Sequence, residues 1–367
     1  MISHSVVKIN NKKEEKMKKF LLVFVGLLFT FYLAACESKE SLKVFIWGEY
    51  IDEDIVADFE DEYNVNVDII IFESNEIAVT QIKDASFDVI VPSDYAIEEL
   101  AVGGLLETID WNRIPGFTKQ DLSADYLNLL TQIEDFQILE YSVPYFWGNV
   151  GIIYNKEVLS QTEVEAAGWD ILQRQDLRVM FYDISRDALM ISMRAVYGPT
   201  ISINDATDAQ LAGGEAWLED AIGTKTRFLT TEIYDVFLQP NPTIDVAHAF
   251  SGEAIYLLPE NDHLGWYVPH QGTNVWMDMM AIPKSAENKD LAYTFINYMM
   301  SYEVALANSI TIGYTSPRQD VVEYIVDNEV YGPEYAVDIR SFDQMHRYNL
   351  DLKLKIENIW ARLRAGN

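Results

Sequence analysis

The sequence predicts an α/β protein of two lobes. Three observations carry that expectation. Its 367 residues exceed the size at which one hydrophobic core usually stops growing. Strand and helix patterns alternate as β-α-β-α-β from Lys43 to about residue 102, an order that implies a parallel sheet. Two apolar runs far apart, 141–154 and 275–282, then read as a crossover to a second lobe and a return from it.

The first strand is Lys43-Val44-Phe45-Ile46, and it ends in Trp47-Gly48-Glu49-Tyr50. Asp52-Glu53-Asp54 opens a helix, because acids are favourable at its positive end. Ile55, Phe59 and Tyr63 give that helix a buried stripe. Val65, Val67, Ile69 and Ile71 alternate, with Ile70 added, as in a largely buried second strand. It ends at Phe72-Glu73-Ser74-Asn75, before a short helix over about 76–83. Phe87–Val91 is the third strand, closed by Pro92-Ser93-Asp94-Tyr95, with a helix over 96–102. In a parallel sheet, the loops after these strands meet at the carboxyl rim, where open α/β folds bind ligands. Trp47–Tyr50, Glu73–Asn75 and Ser93–Tyr95 therefore converge, carrying acids, hydroxyls and aromatic rings.

Residues 103–140 read as irregular with helical pieces. Tyr141–Gly148 leads into the strand Val150–Tyr154. Arg178–Tyr182 is a strand, and Asp183-Ile184-Ser185-Arg186-Asp187 opens the helix 188–196. Ala249–Ala254 is a loop before another helix. Val275–Ile282 is an apolar strand interrupted by Asp278. Helices follow over 290–300 and 302–309, then the turn Ile312–Pro317 and a closing amphipathic helix over 341–363. Residues 37–145 are expected to form the first part of lobe one, 146–277 lobe two, and 278–367 the return, its last helices bracing both lobes.

The start is a targeting segment. Basic Lys16-Met17-Lys18-Lys19 precedes the apolar run Phe20–Ala35, short for a transmembrane span. That run ends in Leu33-Ala34-Ala35-Cys36, and Cys36 is the only cysteine. The pattern resembles a lipobox, which implies that Cys36 is lipidated and that residues 1–36 are the signal segment. A cleaved secretory signal with an incidental cysteine and a signal anchor that stays uncleaved are the alternatives. Met17 fits a true start. One cysteine leaves no internal disulfide.

The net charge is −31, and the first 35 residues are themselves basic, so the remainder is more acidic still. Nucleic acid and anionic lipid surfaces are excluded as natural partners, whereas a polycation is attracted.

Asp278 stands out, since an unpaired carboxylate in an apolar strand is costly. It needs either an Arg, Lys or backbone N–H partner, or a bound ammonium. Trp47, Tyr95, Phe250, Trp276 and Tyr314 fit plain core packing one by one. Each, however, lies in a loop or at a strand end beside a polar or acidic residue, where a ring face also attracts ammonium groups and buries methylenes. Catalytic motifs are missing: there is no G-x-S-x-G, P-loop, G-x-G-x-x-G or H-E-x-x-H. His248, His263 and His270 match no metal spacing, and the Asp183/Asp187 pair is separated by Arg186 at a helix start. No enzyme, cofactor or metal is expected.

These residues resemble the spermidine/putrescine-binding proteins, the substrate-binding subunits of polyamine ABC transporters. The likeness is collinear over roughly 43–365 and is carried by eight blocks. They are F-I-W-G-E-Y at 45–50, F-E-S-N-E at 72–76, F-D-V-I-V-P-S-D-Y at 87–95 and Y-S-V-P-Y-F-W-G at 141–148. Y-D-I-S-R-D at 182–187, F-S-G-E-A at 250–254, W-M-D-M-M-A-I-P at 276–283 and I-G-Y-T-S-P at 312–317 complete them. The resemblance implies a type II periplasmic-binding-protein-like fold, with the ligand in the cleft between two α/β lobes. It places Trp47, Tyr50, Ser93, Tyr95, Asp187, Phe250, Trp276, Asp278 and Tyr314 at ligand-contact positions, with Glu49 and Asp94 in the same motifs. It also implies a monomer on the outer face of the membrane or in the periplasm, handing spermidine or putrescine to permease subunits. Other small cationic or polar solutes, and less so a surface enzyme, are the competing readings. The departures are Ile184 in place of a second carboxylate, Phe250 for a tryptophan, Gly48 for a small hydroxyl residue and a shorter loop before Phe87. A C-terminal contact glutamine has no clear match, with Gln344 and His346 nearby.

Overall fold

The structure is a computed structural model that describes residues 39–133, 135–229, 233–239 and 242–365. The leader, the lipobox and Cys36 lie outside the described residues.

The chain opens with β1 (Ser41–Trp47), α1 (Glu53–Tyr63), β2 (Asn66–Phe72), α2 (Asn75–Asp84), β3 (Val89–Ile90) and α3 (Asp94–Val102). The three strands form a sheet in the order β2-β1-β3, all parallel, so their carboxyl ends share one rim. Local chemistry sets the helix starts. Asp52 accepts from Asp54 N at the head of α1, and Ser74 accepts from Ile77 N at the head of α2. The third strand is shorter than Phe87–Val91. Pro92 ends it, and its outer edge is taken by antiparallel hydrogen bonds from Ala281 N to Ile90 O and from Met279 N to Pro92 O. The helix after it starts earlier than residue 96, at Asp94.

After α4 (Ala124–Leu130) comes β4 (Val143–Asn155), one 13-residue strand buried throughout. The sequence reading had separated it into a lead-in and a strand. Burial on both faces erases the alternation that would have joined the two halves. Then follow α5 (Gln161–Ala167), β5 (Val179–Tyr182), α6 (Ser185–Tyr197), α7 (Asp208–Ala221), β6 (Thr226–Leu229) and α8 (Ile233–Phe237). β7 (Val246–Phe250), α9 (Ser251–Glu260), β8 (Leu264–Tyr267) and β9 (Val275–Met280) complete this part. The second sheet has the order β6-β5-β7-β4-β8. The later half of β4 pairs with β7 and β8, and its earlier half pairs antiparallel with β9. β9 then runs on to bond residues at β3, so β4 and β9 together join the two sheets. Residues 249–254, expected to be a loop, divide instead into the end of β7 and the first turn of α9.

α10 (Lys289–Met299), α11 (Tyr302–Ile312) and α12 (Gln319–Asp327) return to the first sheet, where Phe295 meets Phe59 edge-on at 5.2 Å. α13 spans Leu350–Ala365, so the closing helix begins nine residues later than the 341–363 reading. The segment 341–349 is a strap. Arg347 pairs with Glu98 and Asp135 on the side of the first sheet. Arg194 donates to Phe342 O, and Asn204 to Met345 O, on the side of the second. Those polar tethers replace the helical pattern there. α13 packs on α6 and α7, and its Lys353 reaches Glu99 of α3 at 2.8 Å.

Candidate functional site

The rim of the first sheet faces the second sheet across a cavity of about 120 Å³. Trp47, Glu49 and Tyr50 come from the end of β1, and Ser93, Asp94 and Tyr95 from the head of α3. Asp187 comes from the first turn of α6 and Phe250 from the end of β7. Trp276 and Asp278 lie on β9, and Tyr314 on the turn after α11. All eleven residues singled out in the sequence therefore line the same cavity.

The walls are aromatic. Trp276 lies edge-on to Phe250 at 5.8 Å and to Tyr314 at 5.6 Å. Tyr50 meets Tyr314 edge-on at 5.0 Å, and Trp47 packs on Phe72 at 4.5 Å. Such rings shed water from methylene groups and present negative faces to cations.

Asp278 is the central charge. It is buried and has no basic side chain beside it among the described residues. Its Oδ2 accepts from the Tyr50 hydroxyl at 2.7 Å, and its Oδ1 has no hydrogen-bond partner. Burial pushes its carboxyl up to about 7, against the pull of the Ser93 and Tyr50 hydroxyls. Of the two explanations the sequence left open, the first fails: no Arg, Lys or backbone N–H pairs with it among the described residues, and a tyrosine hydroxyl takes one oxygen instead. Asp94 is also buried, but both its oxygens accept backbone N–H bonds, from Tyr95 and from Met277 of β9. It ties the rim to the crossover strand. Burial is the main cause raising its carboxyl well above the usual range, and Asp278 adds to the shift. Glu49 is exposed at the mouth, with φ at 53° in the left-handed region, a conformation that costs energy for a residue with a Cβ. Ser93 and Tyr95 are held by Asn75, whose Nδ2 donates to both hydroxyl oxygens at 3.0 Å.

Several lining residues were not foreseen as site residues. Glu253 is buried near the head of α9, where its Oε1 accepts from the Tyr182 hydroxyl and its Oε2 from Phe250 N. Burial pushes it up to about 7. Its place three residues after Phe250, at the start of a helix pointing at the rim, was the available signal. His346 comes in on the strap with Nε2 3.5 Å from Asp187 Oδ1. It, and not Gln344, is the C-terminal residue in the cavity; the Gln344 side chain accepts from Ile203 N instead. Arg186 and Glu76 also line it. Asp183, by contrast, turns away to Trp360 and Arg364, so it forms no pair with Asp187. His263 and His270 lie beside Glu157 and Tyr267, and His248 is in the core.

A buried carboxylate with a free oxygen, set among ring faces, is built to take an ammonium group carried on an apolar body.

The model of the bacterial extracellular solute-binding protein family matches residues 54–332. A spermidine/putrescine-binding periplasmic protein of Escherichia coli is 24% identical over 329 residues, which is 88% of this chain and 89% of that protein. A solved structure from Listeria monocytogenes, assigned to spermidine/putrescine ABC transport, shares 28% identity with a TM-score of 0.79, over 90% of this chain and 100% of that one. The spermidine/putrescine ABC transporter substrate-binding protein PotD of Streptococcus pneumoniae shares 26% identity with a TM-score of 0.70, over 89% of this chain and 99% of that one. The two-sheet arrangement with its interposed cavity is the type II periplasmic-binding-protein fold.

Proposed function

The chain belongs to the bacterial extracellular solute-binding protein family, and from that premise we propose that it captures a polyamine, spermidine or putrescine, and delivers it to the permease subunits of an ABC transporter. The observation that carries the reading is Asp278, a buried carboxylate with an unpartnered oxygen inside an aromatic cavity. An ammonium group would complete it through a charge-assisted bond. The rings would cover the methylene chain, and Asp187, Glu253 and Glu49 stand as further acids around the same space. The names of the relatives agree with this ligand class.

The lipid anchor at Cys36 is part of the proposal and rests on the lipobox sequence. So is the division into lobes at about residues 145 and 277, where β4 and β9 cross. The protein works as a monomer held to the outer side of the membrane, closing by hinge bending at the crossovers.

Calorimetric titration of the lipid-free chain starting at Glu37, first stripped of carried-over ligand, tests the proposal. Spermidine and putrescine are titrated in turn, with arginine and maltose as controls. Saturable one-to-one binding of either polyamine, lost in Asp278→Ala, is the expected result. A folded sample giving no heat and no thermal shift with either would overturn it.

Ile184 bears on the choice between the two ligands. It lines the cavity and heads α6 without a side-chain cap bond. Ile184→Asp should add both a cap, about 1 kcal/mol, and a carboxylate facing the ligand. The spermidine-to-putrescine affinity ratio is expected to rise, and an unchanged ratio would remove Ile184 as a determinant.

A further inference from the structure

Three helices present their first turns to one end of the cavity. Glu76 lies in the first turn of α2 and Tyr95 in that of α3, both on the side of the first sheet. Arg186 lies in the first turn of α6, which follows β5 of the second sheet. The Arg186 side chain is only 2% exposed, an unusual position for a guanidinium. It reaches across the cavity, with Cζ 4.2 Å from the Tyr95 ring centre and Nε 3.7 Å from Glu76 Oε1. Its Nη1 donates to Arg347 O on the strap at 3.5 Å. Nε and Nη2 have no hydrogen-bond partner.

A buried guanidinium with two unpartnered nitrogens is incompletely satisfied, and such groups are costly. The distance to Glu76 is beyond a hydrogen bond but inside the range of an ion pair. A small further approach of α6 to α2 would turn it into a charge-assisted hydrogen bond. The same approach would press the guanidinium onto the Tyr95 face, and cation–π attraction strengthens as water is excluded.

We propose that Arg186 is a clasp between the two halves of the molecule, drawing the α6 side onto Glu76 and Tyr95 as the cleft closes. The proposal rests on the reading of the cavity as a polyamine site, and it assigns Arg186 a role other than ligand contact. The clasp forms between protein groups, so it stabilises the closed state equally for every ligand that fits. It therefore acts on escape of the ligand and not on the choice of ligand. Encounter takes place with the open form, and the clasp holds part of the unliganded population closed, so its loss enlarges the unliganded chain and raises the rate of association only modestly.

Stopped-flow binding to the lipid-free chain from Glu37 tests this with Arg186→Gln, Glu76→Gln and the double variant. Arg186→Gln is expected to raise the dissociation rate of putrescine and of spermidine by one common factor, about tenfold, with association within about threefold. The double variant should dissociate no faster than Arg186→Gln alone, because each removes the same link. Unchanged dissociation rates would overturn the proposal. A factor that differs between the two polyamines would do so as well, making Arg186 a ligand contact. Small-angle scattering of the unliganded chain supplies a readout that needs no ligand. Arg186→Gln should increase the radius of gyration relative to the parent, and an equal radius in folded samples would overturn the clasp. If the parent protein binds neither polyamine, the proposed function fails, and the scattering comparison alone decides the clasp.

Discussion

Asp278 couples binding to acidity. Its carboxyl is raised by burial to about 7, and Glu253 is raised to about 7 for the same reason. The unfolded chain releases these protons near the ordinary carboxylate value. Between that value and about 7 the folded protein therefore holds more protons than the unfolded one, and stability falls as pH rises through the window. Both groups are fully destabilising above it. An arriving ammonium group reverses the balance by favouring the carboxylate, so binding below about pH 7 expels protons. Titration in buffers of different ionisation enthalpy should show this release near neutrality and its disappearance at higher pH. Affinity should climb over the same range. Asp278→Asn should bind at least about 100-fold more weakly, since a buried charge-assisted bond is lost. The same variant, unliganded, should melt a few degrees higher at alkaline pH than the parent, because the unpaired buried charge is gone. Proton release that persists undiminished in Asp278→Asn would assign it to another group.

At the scale of elements, the site depends on strands and helix starts that leave no room for side chains. Gly252, in the first turn of α9, lies under the Tyr314 ring, and a Cβ built there would come within 2.3 Å of it. Gly252→Ala should tilt Tyr314 away from Tyr50 and Trp276 and weaken binding about tenfold while leaving every charged group in place. Unaltered affinity would mean that Tyr314 contributes packing only. His248, in the middle of β7, is a second test. It is fully buried, and neither ring nitrogen has a partner. Burial lowers it to about 4, so between that value and its usual 6.5 the unfolded chain holds more protons, and stability is lost as pH falls. His248→Leu should raise stability by about 1 kcal/mol and flatten that acid loss, with ligand affinity unchanged. Denaturation at two pH values measures both effects.

The same elements show what was legible beforehand. The rim was readable because a parallel β-α-β-α-β order forces the loops after β1, β2 and β3 together, whatever the details of their ends. Asp278 was readable because it breaks an apolar strand. Arg186 was not, since in sequence it merely separates two acids, and only the reach of its side chain to Glu76 of α2 and Tyr95 of α3 gives it a task. His346 was legible only as one of two residues near an unmatched contact glutamine, for a different reason. In sequence the helical pattern of α13 reads back to residue 341, whereas the strap is fixed by Arg194, Asn204, Glu98 and Asp135, all remote in sequence.

At the scale of the whole molecule, charge sets the rate of capture. A chain at −31 surrounds its cleft with negative potential, and Glu49 sits exposed at the mouth. A polyamine approaches down that field before any ring or carboxylate in the cavity touches it. Screening lengths shorten from about 30 Å at 0.01 M salt to about 10 Å at 0.1 M, so the attraction should be felt mainly at low ionic strength. The association rate constant should therefore fall with added salt, and more steeply for trivalent spermidine than for divalent putrescine, in proportion to ligand charge. Glu49→Gln should lower the rate at low salt and have little effect at high salt, since it removes an exposed charge and no buried contact. Asp278→Asn should behave in the opposite manner, changing dissociation at every salt concentration, because a desolvated charge is barely screened. Stopped-flow rates across a salt series separate the two. Equal salt slopes for the two ligands would mean that the acidic surface serves solubility alone and that the cleft captures its ligand by contact forces.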